Sequence, residues 1–118
     1  MSNDVILVVE DDPLVRLNAV LMIGDAGFEV LEAPDADEAI ILLESRTDIT
    51  VIFTDIEMPG SMDGLKLAFA VRDRWPPVTI IIASGHVRPR TDQMPPDVKF
   101  LRKPYSEAEV LASFRPAA

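Results

Sequence analysis

The chain has 118 residues, 48% of them hydrophobic, no cysteine, and 20 acidic against 11 basic residues for a net charge of −9. That is enough apolar chain for one domain with a proper core, too little for two, and it argues against disorder. The negative charge disfavours nucleic acid and anionic membranes as partners, no apolar run approaches the length of a bilayer span, and a chain with neither a signal-peptide pattern nor cysteine is expected in the cytoplasm.

In chain order, Val5–Val9 is a continuous apolar run that stops on Glu10-Asp11-Asp12, which predicts a buried strand. Asp12-Pro13 then supplies an N-cap residue and a proline at the first helical position. Leu14, Leu17, Val20 and Leu21 recur at helical spacing until Gly24 and Gly27 punctuate the segment. Phe28–Ala33 alternates weakly, as a partly exposed second strand would. Asp35 is placed to cap a helix with Ala39, Ile40, Leu42 and Leu43 on its inner side. Thr50–Thr54 reads as the third strand and stops on Asp55. Met58-Pro59-Gly60 is a loop, and Asp63 is placed to cap a third helix carrying Leu65, Leu67, Ala68 and Val71 inward, ended by Trp75-Pro76-Pro77. Trp75 reads as a cover over that helix end. Val78–Ala83 is the most apolar strand. After it, Pro89, Pro95 and Pro96 leave room for little more than one helical turn around Arg90–Met94. Val98–Leu101 is the fifth strand, stopping on Arg102-Lys103, and Ser106–Arg115 a short closing helix.

Strands alternating with helices predict an α/β fold, a doubly wound five-stranded parallel sheet with right-handed crossovers and helices on both faces. Such a sheet gathers the carboxyl ends of its strands along one edge, where ligands bind. Glu10, Asp11, Asp55, Ser84 and Lys103 all stand at strand ends and are expected to meet there. Carboxylates so close repel one another and call for a hard divalent cation. With a hydroxyl and a lysine beside them, the set suits phosphoryl transfer: acids and a backbone carbonyl hold Mg²⁺, lysine and hydroxyl hold phosphoryl oxygens, and one carboxylate acts as nucleophile to form an aspartyl phosphate.

Four blocks carry a resemblance. Val8-Val9-Glu10-Asp11-Asp12-Pro13, Asp55-Ile56-Glu57-Met58-Pro59 with Asp63-Gly64, Ala83-Ser84-Gly85, and Lys103-Pro104 together resemble the signature blocks of response-regulator receiver domains, in order and spacing over the whole chain. The resemblance implies a flavodoxin-like sandwich with strand order 2-1-3-4-5. It implies Asp55 as phosphoacceptor, loaded from a histidine of a sensor kinase or a histidine phosphotransfer protein. Mg²⁺ would sit on Glu10, Asp11, Asp55 and the backbone carbonyl of Glu57. Ser84 matches the hydroxyl that turns toward the phosphoryl group, Lys103 the lysine that pairs with it, and Phe100 the switch aromatic. Pro104 matches the proline whose preceding peptide bond, here from Lys103, is cis, an arrangement that costs least before proline. The Glu57 side chain and His86 occupy flanking positions that tune phosphoryl lifetime in the family.

Two stretches depart from the family pattern. The loop Gly60–Gly64 is one residue longer than usual, and His86–Val98 is short and proline-rich where the family has its fourth helix, so that helix is expected to be short or irregular and the usual output surface remodelled. Residues 1–118 read as a single receiver domain with no output domain. Such a protein would not be an enzyme beyond assisting its own phosphorylation and dephosphorylation, and would signal through contact with a downstream protein or serve as a phosphate sink. Two other readings remain: a Mg²⁺-dependent phosphohydrolase, which Asp55-Ile56-Glu57 loosely resembles, and a phosphorylation-independent interaction module. Taken singly, Asp55 could be a capping aspartate, Lys103 a surface lysine and Ser84-Gly85 an ordinary turn.

Overall fold

The computed structural model describes residues 4–86 and 88–114. Its five strands are β1 (Val5–Val9), β2 (Glu29–Ala33), β3 (Val51–Asp55), β4 (Thr79–Ser84) and β5 (Lys99–Arg102). They form one parallel sheet in the order β2-β1-β3-β4-β5. The helices are α1 (Pro13–Asp25), α2 (Ala36–Ser45), α3 (Gly64–Arg74) and α4 (Glu107–Ser113).

The three middle strands are apolar throughout because both of their faces are covered. Leu7, Val9, Ile52, Ile80 and Ile82 pack with Ala39, Leu43, Leu67 and Val71 of α2 and α3. The alternate residues Ile6, Val8, Phe53 and Ile81 pack with Ala19 and Ile23 of α1 and Val110 of α4. A one-residue slip of any central strand would exchange its two apolar sets, so register is held chiefly by the ladder and by the polar residues at the strand ends. Each of the three capping aspartates accepts hydrogen bonds at its helix start: Asp12 from Leu14 and Val15, Asp35 from Glu38, and Asp63 from Lys66. Trp75 closes α3 as its C-terminal cap, with the Arg74 guanidinium 4.4 Å from its ring centre.

Three features differ in detail from what the local pattern of residues suggests. First, α1 does not bury the leucines: Leu14, Leu17 and Leu21 are 77%, 49% and 56% exposed, whereas Ala19 and Ile23 face the sheet. The leucines share one face at i, i+3 and i+7, and the small Ala19 on another face lets the helix lie close to the strands. Second, strands three to five each begin and end one residue later than the apolar runs, because ladder pairing continues past them through Asp55 opposite Ala83 and Ser84 opposite Arg102. Asp55 and Ser84 are thus the last residues of β3 and β4. Third, the closing helix ends at Ser113 with Phe114 as its cap; the expected end at Arg115 lies outside the described residues.

Between β4 and β5 the described chain forms only a 3₁₀ turn, Thr91–Gln93, in place of a helix. Pro89 and Pro95 are buried at its two ends. Among the described residues no helix is long and apolar enough to cross a membrane.

Candidate functional site

The chain leaves β1 at Val9 and places Glu10 and Asp11 at the carboxyl edge of the sheet, beside the end of β3. Glu10 is almost wholly buried, and the backbone N–H of Asp12 donates to its Oε2 at 3.1 Å. Its own N–H donates to the Ala33 carbonyl of β2 at 3.1 Å, and its carbonyl accepts from Arg16 Nη1 at 2.9 Å. Arg16, whose Nε also donates to Glu32 at 3.0 Å, therefore ties the first turn of α1 to the tip of β1 and to β2. Periodicity gives no hint of this contact, since Arg16 looks like any polar residue on the outer side of a helix.

Asp55, at the end of β3, is 8% exposed. Carboxylate oxygens of Glu10, Asp11 and Asp55 all lie within 4.8 Å of one another. Lys103, just beyond β5, points its Nζ between two of them, 3.1 Å from Glu10 Oε1 and 3.3 Å from Asp55 Oδ1. The Lys103–Pro104 peptide bond is cis, as expected, and the Lys103 N–H donates to the Ser84 carbonyl at 2.9 Å, which fixes the start of this loop against β4.

The cluster is electrostatically unbalanced, with three carboxylates facing one ammonium. Burial pushes the Asp55 carboxyl above the ordinary aspartate value, and Lys103 offsets only part of that. Glu10 is raised for the same reason, against the pull of the Asp12 N–H and Lys103. For Lys103 burial acts downward, but the bond to Glu10 and the charge of Asp55 together outweigh it and hold the ammonium above its usual value. An oxygen-only donor set of two buried carboxylates and the exposed Asp11, carrying excess negative charge, fits Mg²⁺, which takes carboxylate, carbonyl and water oxygens. The cluster opens into a cleft of about 290 Å³ lined by Asp11, Asp55, Glu57, His86 and Lys103 among others.

Ser84 is buried at the end of β4, and its Oγ donates to Glu57 Oε1 at 3.2 Å. The Glu57 side chain is exposed, yet it engages the hydroxyl expected to meet a phosphoryl group. Phe100 stands apart from the cleft, in β5, half-buried against the α2–α3 core with the Arg88 guanidinium 5.2 Å from its ring centre. Two residues missed in sequence adjoin the cluster: Tyr105, whose ring packs edge-on against Phe53 at 5.5 Å, and Val15 at the first turn of α1, which lines the cleft.

A parallel sheet in this order, wound on both faces and carrying an acidic cleft at the carboxyl ends of β1 and β3, is the flavodoxin-like architecture with its ligand site where the strand order reverses. Residues 6–115 match the response regulator receiver domain family, and the chain belongs to it. It is 36% identical over 85 residues to the positive alginate biosynthesis regulatory protein of Pseudomonas aeruginosa, covering 69% of this chain and 33% of that protein. It is 32% identical over 105 residues to the sensor kinase CckA of Brucella abortus, covering 86% of this chain and 11% of the kinase. The chain thus spans a third or less of these two relatives. Among solved structures, a response regulator receiver protein from Sinorhizobium medicae superposes with a TM-score of 0.87 at 28% identity, covering 94% of this chain and 90% of the other. The receiver domain of the hybrid histidine kinase CckA gives 0.78 at 31% identity, covering 94% and 99%. The protein is a phosphoacceptor signalling domain of the two-component type.

Proposed function

We propose that Asp55 is the phosphoacceptor and that it is loaded from a phosphohistidine on a sensor kinase or a histidine phosphotransfer protein. The observation that carries this reading is the position of Lys103 Nζ, between Asp55 Oδ1 and Glu10 Oε1 at the mouth of the acidic cluster. In the transfer, an Asp55 carboxylate oxygen attacks phosphorus, the P–N bond to histidine breaks with its electron pair left on the imidazole nitrogen, and an acyl phosphate forms. Glu10, Asp11, Asp55 and the Glu57 carbonyl would hold Mg²⁺, which supplies charge neutralisation for the phosphoryl oxygens. Lys103, freed of part of its pairing to Asp55, takes a phosphoryl oxygen. Ser84 exchanges Glu57 for the phosphoryl group as its acceptor, and Phe100 moves inward as that hydroxyl turns. Hydrolysis of the acyl phosphate by water restores the carboxylate and releases inorganic phosphate.

The domain on this reading assists only its own phosphorylation and dephosphorylation and passes the state on by protein contact or holds it as a sink. The net charge of −9 supports a protein partner over nucleic acid. The test is incubation with acetyl phosphate and Mg²⁺ followed by intact-mass measurement. One added phosphoryl group is expected, absent in Asp55→Asn. No addition, or addition undiminished in Asp55→Asn, would overturn the assignment.

A further inference from the structure

The peptide groups that follow Asp55 are held from both sides. The β1–β3 register ends at Val9 opposite Thr54, so Asp55 stands one residue beyond that pairing. Its carbonyl accepts instead from Thr54 Oγ1 at 2.9 Å, a bond buried within the fold. Thr54 is wholly buried and lies on the same face of β3 as Ile52, toward α3. From that side α3 presses its first residue onto the same carbonyl: a Cβ on Gly64 would lie 1.9 Å from the Asp55 oxygen and 2.7 Å from its carbon. The other groups of this stretch are also engaged, since the Ile56 N–H donates to the Ala83 carbonyl at 3.2 Å and the Ile56 carbonyl accepts from the Gly64 N–H at 2.8 Å.

Each of these contacts is made by backbone or by a buried hydroxyl, so none is free to swing with solvent. Rotation of the Asp55–Ile56 peptide plane would turn the Asp55 carboxylate and carry the Glu57 carbonyl with it, because both hang on the same short stretch of chain. A buried serine or threonine hydroxyl at a strand end ordinarily reads as a satisfied core residue, but this one spends its proton on the single carbonyl adjoining the acceptor carboxylate.

We propose that Thr54 is a positioning residue for phosphoryl transfer: its hydroxyl, together with the close seat of Gly64, locks the Asp55 peptide plane and so aims the acceptor carboxylate. This rests on Asp55 being the phosphoacceptor. A group attacking in line is sensitive to small misplacements, and an error near 1 Å costs up to about a hundredfold in rate.

Two variants separate aim from packing. Thr54→Val keeps the shape and removes the hydroxyl; Thr54→Ser keeps the hydroxyl and removes a buried methyl. Each is compared with the unaltered protein for the rate of phosphorylation by acetyl phosphate at saturating Mg²⁺, alongside thermal unfolding. The expected result is that Thr54→Val slows phosphorylation about tenfold while Thr54→Ser stays within about twofold, whichever of the two is the less stable fold. Equal rates in Thr54→Val and the unaltered protein would overturn the inference. So would Thr54→Ser being slowed as much as Thr54→Val, which would mark the effect as loss of packing. If the unaltered protein takes no phosphoryl group, the Asp55 assignment itself fails, and that outcome is read on the unaltered protein alone.

Discussion

Asp55 is, with Glu10, one of two buried carboxylates at the cleft. Its carboxylate is nearly buried, with Lys103 3.3 Å away and two further carboxylates close by. Because burial raises its pKa in the fold, ionisation of Asp55 is harder there than in the unfolded chain. Stability attached to this group is therefore complete below the ordinary aspartate value of 3.8 and is lost as pH rises through the higher folded value. Asparagine has no such ionisation. In metal-free buffer, Asp55→Asn is expected to gain stability over the unaltered protein as pH is raised from about 3.5 to 7, measured by urea unfolding at both values. A difference that is flat with pH, or that favours the unaltered protein at pH 7, would mean that Lys103 more than compensates the burial. Glu10 behaves alike, since its pKa is also raised by burial. On the proposed function, the site gives up fold stability to keep charge where a cation and a phosphoryl group would use it.

Among the elements, the helices begin sharply and the β4–β5 connection does not contain one. Asp35 opens α2 with a side-chain bond to the Glu38 N–H at 2.9 Å and is not among the residues lining the acidic cleft. Asp35→Ala is expected to cost about 1 kcal/mol of stability, read as a lower urea midpoint at unchanged slope, with phosphorylation by acetyl phosphate unaffected. A loss in phosphorylation rate would show that α2 is coupled to the cleft more tightly than its position suggests. In the β4–β5 connection the sequence Pro95-Pro96 removes two backbone donors in succession, and a helix cannot run through them. The chain is held instead by burial of Pro89 and Pro95, by packing of Met94 against the core, and by Arg88 over Phe100. The described part of this connection is therefore a bent loop around a single 3₁₀ turn.

For the molecule as a whole, an ion bound at the acidic cluster would couple its binding to folding. An ion that binds only the native cleft stabilises by about 2.7 kcal/mol at a hundred times its dissociation constant. Mg²⁺ is accordingly expected to raise the unfolding temperature at pH 7, with the gain shrinking toward pH 4 as Glu10 and Asp55, both raised by burial, take up protons. Differential scanning with and without Mg²⁺ at both values measures it, and a gain equal at the two pH values would place the ion elsewhere.

Much of this molecule was legible in one dimension. Short apolar runs alternating with capped helices determine a parallel sheet covered on both faces, and the ionisable residues that end those runs determine where the cleft lies, because parallel strands all point their ends the same way. Capping is equally local: Asp12, Asp35 and Asp63 bond to N–H groups two or three residues on. What only the tertiary structure decided are contacts between residues far apart in sequence or choices among equivalent helix faces. Leu14, Leu17 and Leu21 have the spacing of a buried stripe, and only the approach of α1 to the sheet selected Ala19 and Ile23 instead. The Ser84 bond to Glu57, the Arg16 bond to the Glu10 carbonyl and the seat of Gly64 on Asp55 depend on which elements are neighbours and at what distance. Periodicity and capping are short-range properties of the chain, whereas the aim of a buried carboxylate is set by whatever the folded neighbours press against it.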